Sequence, residues 1–318
     1  MAPNGSSARV GEPRSEPSSP AGREDGREAS DRFAGASYEP YRVSRREEDG
    51  EVLRHRFALD GYLYFPAAFP PSLVEPLRDA FLTALAPHVV WDVQEKTPVL
   101  EGEPFFESDP LFDALYPHVQ ALEALHRLFH TRVAQHLMQI VAGVPVFVYP
   151  MKMARIATPR RLGFETPPHQ DAYSHHAGPT MAGIWVALHD VDANMGRLAL
   201  LPGSHTRGVR PVHRAQGVGG VQCEIYPDET RWHVANVRAG DAIIFHSQTV
   251  HRAQPNSDAR RVRLSVDTRF CDYGAPVFST NLEPHHGCRI PGLDWDFVYR
   301  DWAQEDLRYY WRDYPALF

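Results

Sequence analysis

Two short segments, one near residue 170 and one near residue 250, carry side chains that could bind a redox metal. The first reads PHQD at 168–171, and the second reads GDAIIFHSQTVH at 240–251 and is followed by RLS at 263–265. Together they supply a histidine and a carboxylate two residues apart and a distant second histidine. Two histidines and one carboxylate with open coordination positions are typical of non-haem Fe(II) oxygenases.

The spacing has a physical reason, because successive side chains on a strand point to opposite faces. His169 and Asp171 would therefore share a face and meet one metal, while Gln170 points elsewhere. Three protein ligands leave three positions for a bidentate keto acid and O2. The planar distal carboxylate of 2-oxoglutarate suits a guanidinium, which grips it bidentately. The sequence thus predicts Fe(II), 2-oxoglutarate and O2 as cofactors, with Arg263, and Ser265 beside it, holding the keto acid.

The third metal ligand has two candidates, His246 and His251, which lie five residues apart. If His246 were the ligand, the clamp for the keto acid would fall to Arg260 or Arg261, on a polar turn. If His251 is the ligand, the clamp falls to Arg263, within a strand that holds it more rigidly. We prefer His251 and interpret His246 as a packing residue.

Composition narrows the class of protein. The chain has 318 residues, of which 43% are hydrophobic, as expected of a globular protein with a sizeable core. A net charge of −7 gives no reason to expect a nucleic-acid partner. We find no apolar run of the length of a membrane span or a signal segment, and three cysteines make no disulfide framework. We therefore expect a cytoplasmic protein without a membrane partner, and the sequence carries no signal for its oligomeric state.

The early part of the chain is expected to be disordered and then helical. Residues 1–36 are rich in Ser, Pro, Glu, Arg and Gly and predict a disordered tail, which leaves 37–318 as a single domain. Ser72 and Glu75 form a possible capping box and predict the start of a helix. Residues 117–142 predict one or two further helices.

After these helices the pattern changes to short strands separated by Gly and Pro turns. The predicted strands are Val144–Tyr149, Met151–Ile156, Gly183–His189, Arg197–Leu201, Val234–Val237, Asp241–Phe245 and Arg261–Phe270. This order predicts a mainly β fold with flanking helices, whose core is a double-stranded β-helix, a cupin-like jelly roll. The aromatic-rich stretch 295–318 predicts a helix on the outside of the barrel or over its mouth. We expect it to close the pocket with the 97–109 loop.

Further short segments occur in a fixed order along the chain. They are Asp60-Gly61-Tyr62-Leu63, Trp185, Gly196, Leu198, Pro202-Gly203-Ser204-His205, Gly240-Asp241, Phe245, Pro255 and Asn256. With 169–171 and His251, they make the chain from Phe57 onward resemble the phytanoyl-CoA dioxygenase family of Fe(II)/2-oxoglutarate oxygenases. The resemblance implies that the metal ligands are His169, Asp171 and His251 and that Arg263 binds the keto acid.

The resemblance also assigns Gln170 and Trp185 to the cosubstrate pocket, where a core role for Trp185 is the alternative. Lys152 precedes the metal segment on a neighbouring strand and is expected to contact the cosubstrate, with a core or surface position as the alternative. Residues that flank the metal pair or lie on that strand are expected to contact substrate, with a solvated or core position as the alternative: Thr166, Tyr173, His175 and Met153. We predict no catalytic residue beyond the metal site.

These features predict an enzyme that oxidises an unactivated C–H bond of a small molecule. Related halogenases carry a small residue where Asp171 stands, so its carboxylate favours oxidation over halogenation. Hydroxylation is the default outcome, and desaturation, epoxidation or cyclisation would use the same ligands. By analogy with the family, we expect a natural-product intermediate, as in antibiotic biosynthesis. The alternatives are a keto-acid-independent cupin-type metalloenzyme and a non-catalytic β-barrel binding module.

Overall fold

The computed structural model of the protein describes residues 36–160, 162–178 and 180–315. These residues all fall within one compact unit that spans Asp31–Phe318. The predicted disordered tail lies outside the described residues, except for its last residue, Ala36. Within the described ranges, no helix combines the length and the apolarity needed to cross a membrane.

In the described part of the chain, most helices lie before residue 143 and most strands lie after it. The strands are β1 (Ser37–Glu39), β2 (Tyr62–Phe65), β3 (Val89–Asp92), β4 (Thr97–Leu100), β5 (Val146–Ala157), β6 (Ala182–Ala187), β7 (Leu198–Leu200), β8 (Val212–Arg214), β9 (Val221–Cys223), β10 (Arg231–His233), β11 (Ala242–His246), β12 (His251–Ala253) and β13 (Arg263–Asp272). The helices are α1 (Gly50–Asp60), α2 (Pro71–Leu85), α3 (Pro110–Gln120), α4 (Glu123–Leu128), α5 (Arg132–Ala142), α6 (Asp171–Ser174) and α7 (Trp295–Tyr299).

Two sheets form the barrel. The larger has the order β2-β11-β6-β13-β5 and the smaller has the order β1-β10-β7-β12. Trp185 and Phe245 of the larger sheet pack with Leu198 and Leu200 of the smaller one, in a cluster that fills the space between them. The outer face of the larger sheet packs against α2 to α5 in the main hydrophobic core. The architecture is the predicted double-stranded β-helix with flanking helices.

Strand β13 is central to the site, because it pairs with β5 on one side and β6 on the other. Its alternate residues Leu264 and Val266 belong to the core beneath the helices. The intervening residues therefore face the barrel interior. They are Arg263, Ser265, Asp267 and Arg269, and all four are buried.

Several predicted elements differ from the observed ones. The region 117–142 is covered by α3, α4 and α5, and Gly143 ends α5 in a left-handed conformation, φ 73°. The capping box at Ser72 is wrong, because α2 begins at Pro71 without a side-chain cap. Proline is well suited to this first position, where its missing N–H has no partner in the helix.

The two strands predicted on either side of Pro150 form one strand, and the strand predicted at 234–237 lies at a different position. Strand β5 runs unbroken through Pro150, which it tolerates because it lies at the edge of its sheet. The segment 234–237 is not a strand, since the strand lies earlier, at Arg231–His233.

The C-terminal segment lies against the helices on the outside of the barrel. Only Trp295–Tyr299 forms an α-helix in the part of this segment that the structure describes, so the long predicted helix is wrong. Trp302 Nε1 donates to Ala121 O at 3.0 Å, and Tyr310 OH donates to Val148 O at 2.6 Å. These contacts satisfy the polar ends of large aromatic residues while their rings add to the core.

Candidate metal centre

The side chains of His169, Asp171 and His251 converge at one end of the barrel. One donor atom from each lies within 4.8 Å of the others. Nε2 of each histidine is 3.9 Å from Oδ1 of Asp171. The segment that carries the first two residues is not a regular strand. His169 forms an isolated bridge with His251, and Asp171 begins the short helix α6.

The hydrogen bonds of the two histidines fix which nitrogen faces the carboxylate. Nδ1 of His169 lies 2.8 Å from Pro167 O, and Nδ1 of His251 lies 3.0 Å from Thr249 O. A carbonyl oxygen can only accept, so each Nδ1 carries the hydrogen and each Nε2 presents a lone pair. This tautomer is the one that binds a metal through Nε2.

Burial sets the charge states of these groups. It lowers the pKa of His169 to about 3 and also lowers the pKa of His251, so both imidazoles are neutral at neutral pH. Burial alone would raise the pKa of Asp171, but Arg269 and the neighbouring histidines hold that pKa below its ordinary value. Two neutral imidazoles and one carboxylate are the donor set that suits Fe(II), so the residues present fit the metal.

His246 does not belong to this cluster. It lies on β11 next to Phe245, whose ring faces the barrel interior, so the alternation of the strand turns His246 outward. Its Nδ1 accepts a hydrogen bond from Gln248 N at 3.0 Å, and its ring packs against Phe57. The structure therefore brings His251, and not His246, next to His169 and Asp171.

A cavity of about 40 Å³ beside the cluster is lined by Arg263, Trp185 and both metal-site histidines. Arg263 is buried and donates to Gly196 O, while its Nε has no hydrogen-bond partner among the described residues. Burial lowers the pKa of Arg263 to about 10. A buried guanidinium with an unused N–H donor favours a carboxylate ligand, and the distal carboxylate of the keto acid is such a ligand.

The other predicted cosubstrate residues have different positions. Trp185 Nε1 donates to Ser265 Oγ at 3.1 Å, so Ser265 supports the Trp185 wall. The amide of Gln170 is engaged by the main chain of two loops. Its Nε2 donates to Gly208 O and Gln248 O, and its Oε1 accepts from Arg210 N. Gln170 thus supports these loops and also lines a larger cavity beside the cluster, and its cosubstrate role stays a prediction.

The structure does not support the expectation that Lys152 contacts the cosubstrate. On β5, Met151 and Met153 face the barrel interior, so the alternation of the strand turns Lys152 to the helix side. There it is fully buried, donates to Tyr149 O, and lines a small cavity with His126 and other residues of the helix layer. Burial lowers the pKa of its amine well below the ordinary value.

A larger cavity of about 360 Å³ opens directly beside the metal cluster. All four residues expected to contact substrate line it, together with His169 and Asp171. Apolar and polar residues that the sequence did not single out complete its walls: Glu107, Met151, Arg155, Val212, Val218, Val221, Asn281, His285 and His286. Of the predicted closing segments, the 97–109 loop contributes Glu107. The rest of the cover comes from the β8–β9 hairpin and the 280–288 segment.

His175 presents a hydrogen-bond acceptor to this cavity. Asn281 Nδ2 donates to His175 O at 2.9 Å, which fixes the orientation of the amide. Asn281 Oδ1, 2.7 Å from His175 Nδ1, must then accept, so Nδ1 carries the hydrogen. Burial lowers the pKa of His175 to about 4. Its Nε2 therefore carries a lone pair, 3.9 Å from Asp171 Oδ1.

A chain of ion pairs, buried at the metal cluster and partly exposed at its far end, runs into the cavity wall. Arg269 contacts both Asp171 and Asp267, and Arg155 contacts both Asp267 and Glu107. Glu107 Oε2 in turn lies 3.3 Å from His286 Nε2. Sequence reasoning missed these residues because they are far apart in the chain and carry no short motif.

The amino-acid sequence is similar to that of a known family and of several proteins within it. The family model described as phytanoyl-CoA dioxygenase matches residues 57–263. The chain is 24% identical over 242 residues to 1-deoxypentalenic acid 11-beta-hydroxylase of Streptomyces exfoliatus, covering 70% of this chain and 81% of that protein. It is 29% identical over 175 residues to phytanoyl-CoA dioxygenase domain-containing protein 1 of Mus musculus, covering 52% of this chain and 55% of that protein. The match thus spans about half the length of the mouse relative.

Solved structures share the fold. The epimerase SnoN, in complex with Fe3+, alpha ketoglutarate and nogalamycin RO, gives a TM-score of 0.51 at 24% identity, covering 72% of this chain and 85% of that one. The carbocyclase SnoK from nogalamycin biosynthesis gives 0.51 at 21% identity, covering 74% and 89%. The predicted resemblance is confirmed by the family match: the chain belongs to the phytanoyl-CoA dioxygenase family and is an Fe(II)/2-oxoglutarate-dependent oxygenase.

Proposed function

We propose that this enzyme oxidises an unactivated C–H bond of a small, uncharged and largely apolar molecule, with hydroxylation as the default outcome. The observation that carries this proposal is the 360 Å³ cavity that shares His169 and Asp171 with the metal cluster. Its volume falls within the range of small-molecule sites, roughly 300–1,000 Å³. A molecule bound there would have a C–H bond beside the metal.

His169, Asp171 and His251 would hold Fe(II), and Arg263 would bind the distal carboxylate of 2-oxoglutarate against the Trp185 wall. When bound, iron and 2-oxoglutarate use O2 to supply an oxidant that can remove hydrogen from an unreactive C–H bond. The protein's own contribution is to orient the substrate and to exclude water from the cavity.

Apolar side chains would provide most of the contact with substrate. Met151 and Met153 project from β5, and Val212, Val218 and Val221 project from or beside the β8–β9 hairpin. These side chains favour a compact hydrocarbon framework. The flexible thioethers of the methionines can adapt to its shape.

The charges in the cavity wall favour an uncharged substrate. Its cationic residues are Arg155 and Arg269, and both are ion-paired with carboxylates. A charged substrate would have to be buried without a partner or break one of these pairs, and both are costly. The polyphosphate of a coenzyme A ester would find no unpaired cation among the described wall residues, which argues against an acyl-CoA substrate.

His175 would fix the orientation of the substrate through its Nε2 acceptor. A substrate hydroxyl that donates to this nitrogen would lie next to the metal-facing oxygen of Asp171. The named activities of the relatives, a hydroxylase acting on 1-deoxypentalenic acid and enzymes of nogalamycin biosynthesis, support a natural-product intermediate as substrate. That the substrate is uncharged rests on the cavity wall alone, because 1-deoxypentalenic acid is itself a carboxylic acid. An epimerase and a carbocyclase share the fold, so the substrate pose, and not the ligand set, would select the outcome.

The test is an anaerobic titration of the metal-free protein with Fe(II) and then with 2-oxoglutarate, monitored through the weak visible charge-transfer band of the chelate. We expect a band in the wild type, and in Arg263→Ala a band only at a higher concentration of 2-oxoglutarate. Iron binding without a band would favour a keto-acid-independent metalloenzyme, and no iron binding would favour a binding module.

A second experiment tests the substrate class. It compares succinate release in the presence of neutral polycyclic alcohols with succinate release in the presence of coenzyme A esters whose acyl groups are of matched size. Release triggered only by the esters would overturn that part of the proposal.

A further inference from the structure

We propose that Arg269 is a positioning residue that holds the Asp171 carboxylate so that only Oδ1 faces the metal. This inference rests on the assignment of Asp171 as a metal ligand in the proposed function. It gives a role to Arg269, which is neither one of the proposed metal ligands nor the proposed clamp for the keto acid.

The contact between the two side chains uses both carboxylate oxygens. Arg269 Nη2 donates to Asp171 Oδ1 at 2.8 Å, and Arg269 Nε lies 2.6 Å from Oδ2 in an ion pair. The side chains are only 2% and 1% exposed, so water does not compete for this contact. The Nη2–Oδ1 contact is the hydrogen bond of this pair, whereas Nε and Oδ2 are in electrostatic contact without hydrogen-bond geometry. Two contacts with one planar guanidinium restrict the plane of the carboxylate as well as its position.

The two oxygens therefore have different surroundings. Oδ1 is the atom that lies 3.9 Å from Nε2 of His169 and 3.9 Å from Nε2 of His251. Oδ2 faces Arg269 Nε. A freely rotating carboxylate could chelate a metal through both oxygens and take up a position that the keto acid or O2 needs. With Oδ2 held by Arg269, Asp171 can offer one oxygen, and the open positions remain open.

Arg269 is itself held in place. Its Nη1 donates to Asp267 Oδ2 at 2.7 Å and to Thr268 O at 3.1 Å. It is paired across the sheet with Gly183, where an added Cβ would lie 3.4 Å from Arg269 Nη1 and 2.8 Å from the Phe245 ring. The absence of a side chain at Gly183 thus leaves room for the Phe245 ring, over which the Arg269 guanidinium lies.

A second interpretation makes the opposite prediction. If Arg269 merely neutralised Asp171 and competed with the metal, its removal would tighten Fe(II) binding, because a nearby cation repels the ion. If Arg269 positions the ligand, its removal weakens binding and changes the chelate. Lysine at this position keeps the charge and loses the planar fork, so it separates geometry from charge.

The experiment compares the full-length variants Arg269→Lys and Arg269→Gln with the wild type. Each is measured for thermal unfolding, for Fe(II) affinity and for the charge-transfer band with 2-oxoglutarate. Arg56→Lys is the matched control, because Arg56 also pairs with both oxygens of a carboxylate, that of Glu48, outside the site. We expect both Arg269 variants to bind Fe(II) about ten- to a hundred-fold more weakly, as for other residues that orient metal ligands. We also expect a shifted band, and no change of either kind in the control.

Fe(II) affinity equal to or tighter than that of the wild type, with an unshifted band, would overturn the proposal. If neither Arg269 variant folds, Asp267→Asn decides, because it releases Nη1 and leaves the Arg269 side chain in place. A smaller loss of affinity with a band shift in Asp267→Asn supports the role, and unchanged affinity and band contradict it. A wild type that forms no band would instead refute the proposed function itself.

Discussion

The main chains of His169 and His251 hydrogen-bond to each other in both directions. His169 N donates to His251 O at 3.0 Å, and His251 N donates to His169 O at 3.1 Å. This antiparallel bridge places the two imidazoles side by side, with ring centroids 4.1 Å apart. The separation of two ligands that are distant in sequence is therefore set by the backbone, which orders the site before a metal binds.

The metal ligands can be tested one at a time. His251→Ala and Asp171→Ala should each abolish stoichiometric Fe(II) uptake under anaerobic conditions, because each removes a buried donor from the cluster. His246→Ala should retain uptake, because its ring faces away from the cluster and packs on Phe57. The reverse pattern for the two histidines would show that the third ligand is misassigned.

The clamp for the keto acid can be separated from the metal site. Arg263→Ala should still bind Fe(II) but lose affinity for 2-oxoglutarate, about ten- to a hundred-fold, since each bond to a charged group contributes roughly 1.5–3 kcal/mol. The matched control is Arg261→Ala, because Arg261 is already paired with Asp192 and Asp258 at 2.6 and 2.7 Å. Equal losses in the two variants, measured by titration of the charge-transfer band, would contradict the assignment.

Lys152 should affect stability and leave the site unchanged. Its amine is fully buried and burial lowers its pKa, so the fold disfavours the charged amine that the unfolded chain carries without cost at neutral pH. Lys152→Met should raise the free energy of unfolding at pH 7 by about 1–3 kcal/mol.

Denaturant unfolding measures this gain in the free energy of unfolding. The gain should shrink as the pH rises towards the pKa of a free lysine. The affinity for 2-oxoglutarate should match that of the wild type. A variant that loses that affinity would restore Lys152 to the cosubstrate site.

His126 should make stability depend on pH. Burial lowers its pKa to about 3, whereas in the unfolded chain the pKa is about 6.5. Below pH 6.5 the unfolded state binds a proton that the folded state does not, so stability is complete above this pH and falls as the pH drops towards 3. One such histidine contributes a slope of up to about 1.4 kcal/mol per pH unit.

Urea unfolding of the metal-free protein between pH 7 and pH 4 measures this slope. His126→Gln, which keeps a donor for Gln120 O, should reduce it by one histidine's share. His213→Gln, at an exposed position, should leave it unchanged. An unaltered slope in His126→Gln would show that this imidazole takes up protons without unfolding.

The sequence predicted the elements whose chemistry is local. The fold class and the inward position of Arg263 follow from strand alternation and short spacings. The grouping of His169, Asp171 and His251 was also predicted, although the segment that carries the first two is a bridge and a helix start and not a regular strand. Lys152 was misplaced because the phase of β5 depends on its pairing with β13, which a single strand does not reveal. The strand seemed to end at Pro150 because its position at the sheet edge is also a property of the whole sheet.

The walls of the cavity could not be predicted for a related reason. His286 and Glu107 contact each other across more than 170 residues of chain, and no periodicity links them. Arg269 lies on a strand that was predicted, but its role depends on its contact with Asp171, which is 98 residues away in the chain. Such pairs are fixed by tertiary packing and become visible only once the register of the sheet is known.

Strand β13 carries four inward side chains with different proposed roles, from the keto-acid clamp at Arg263 to the ligand support at Arg269. The cavity cover, by contrast, comes from the β8–β9 hairpin and the 280–288 segment, which lie outside the large sheet. Mutations in these covering segments can therefore alter which molecule enters while the oxidising centre stays intact. The oxidising centre and the cavity cover therefore lie on different segments, so exchange of the covering segments is expected to change the substrate preference more than the reaction.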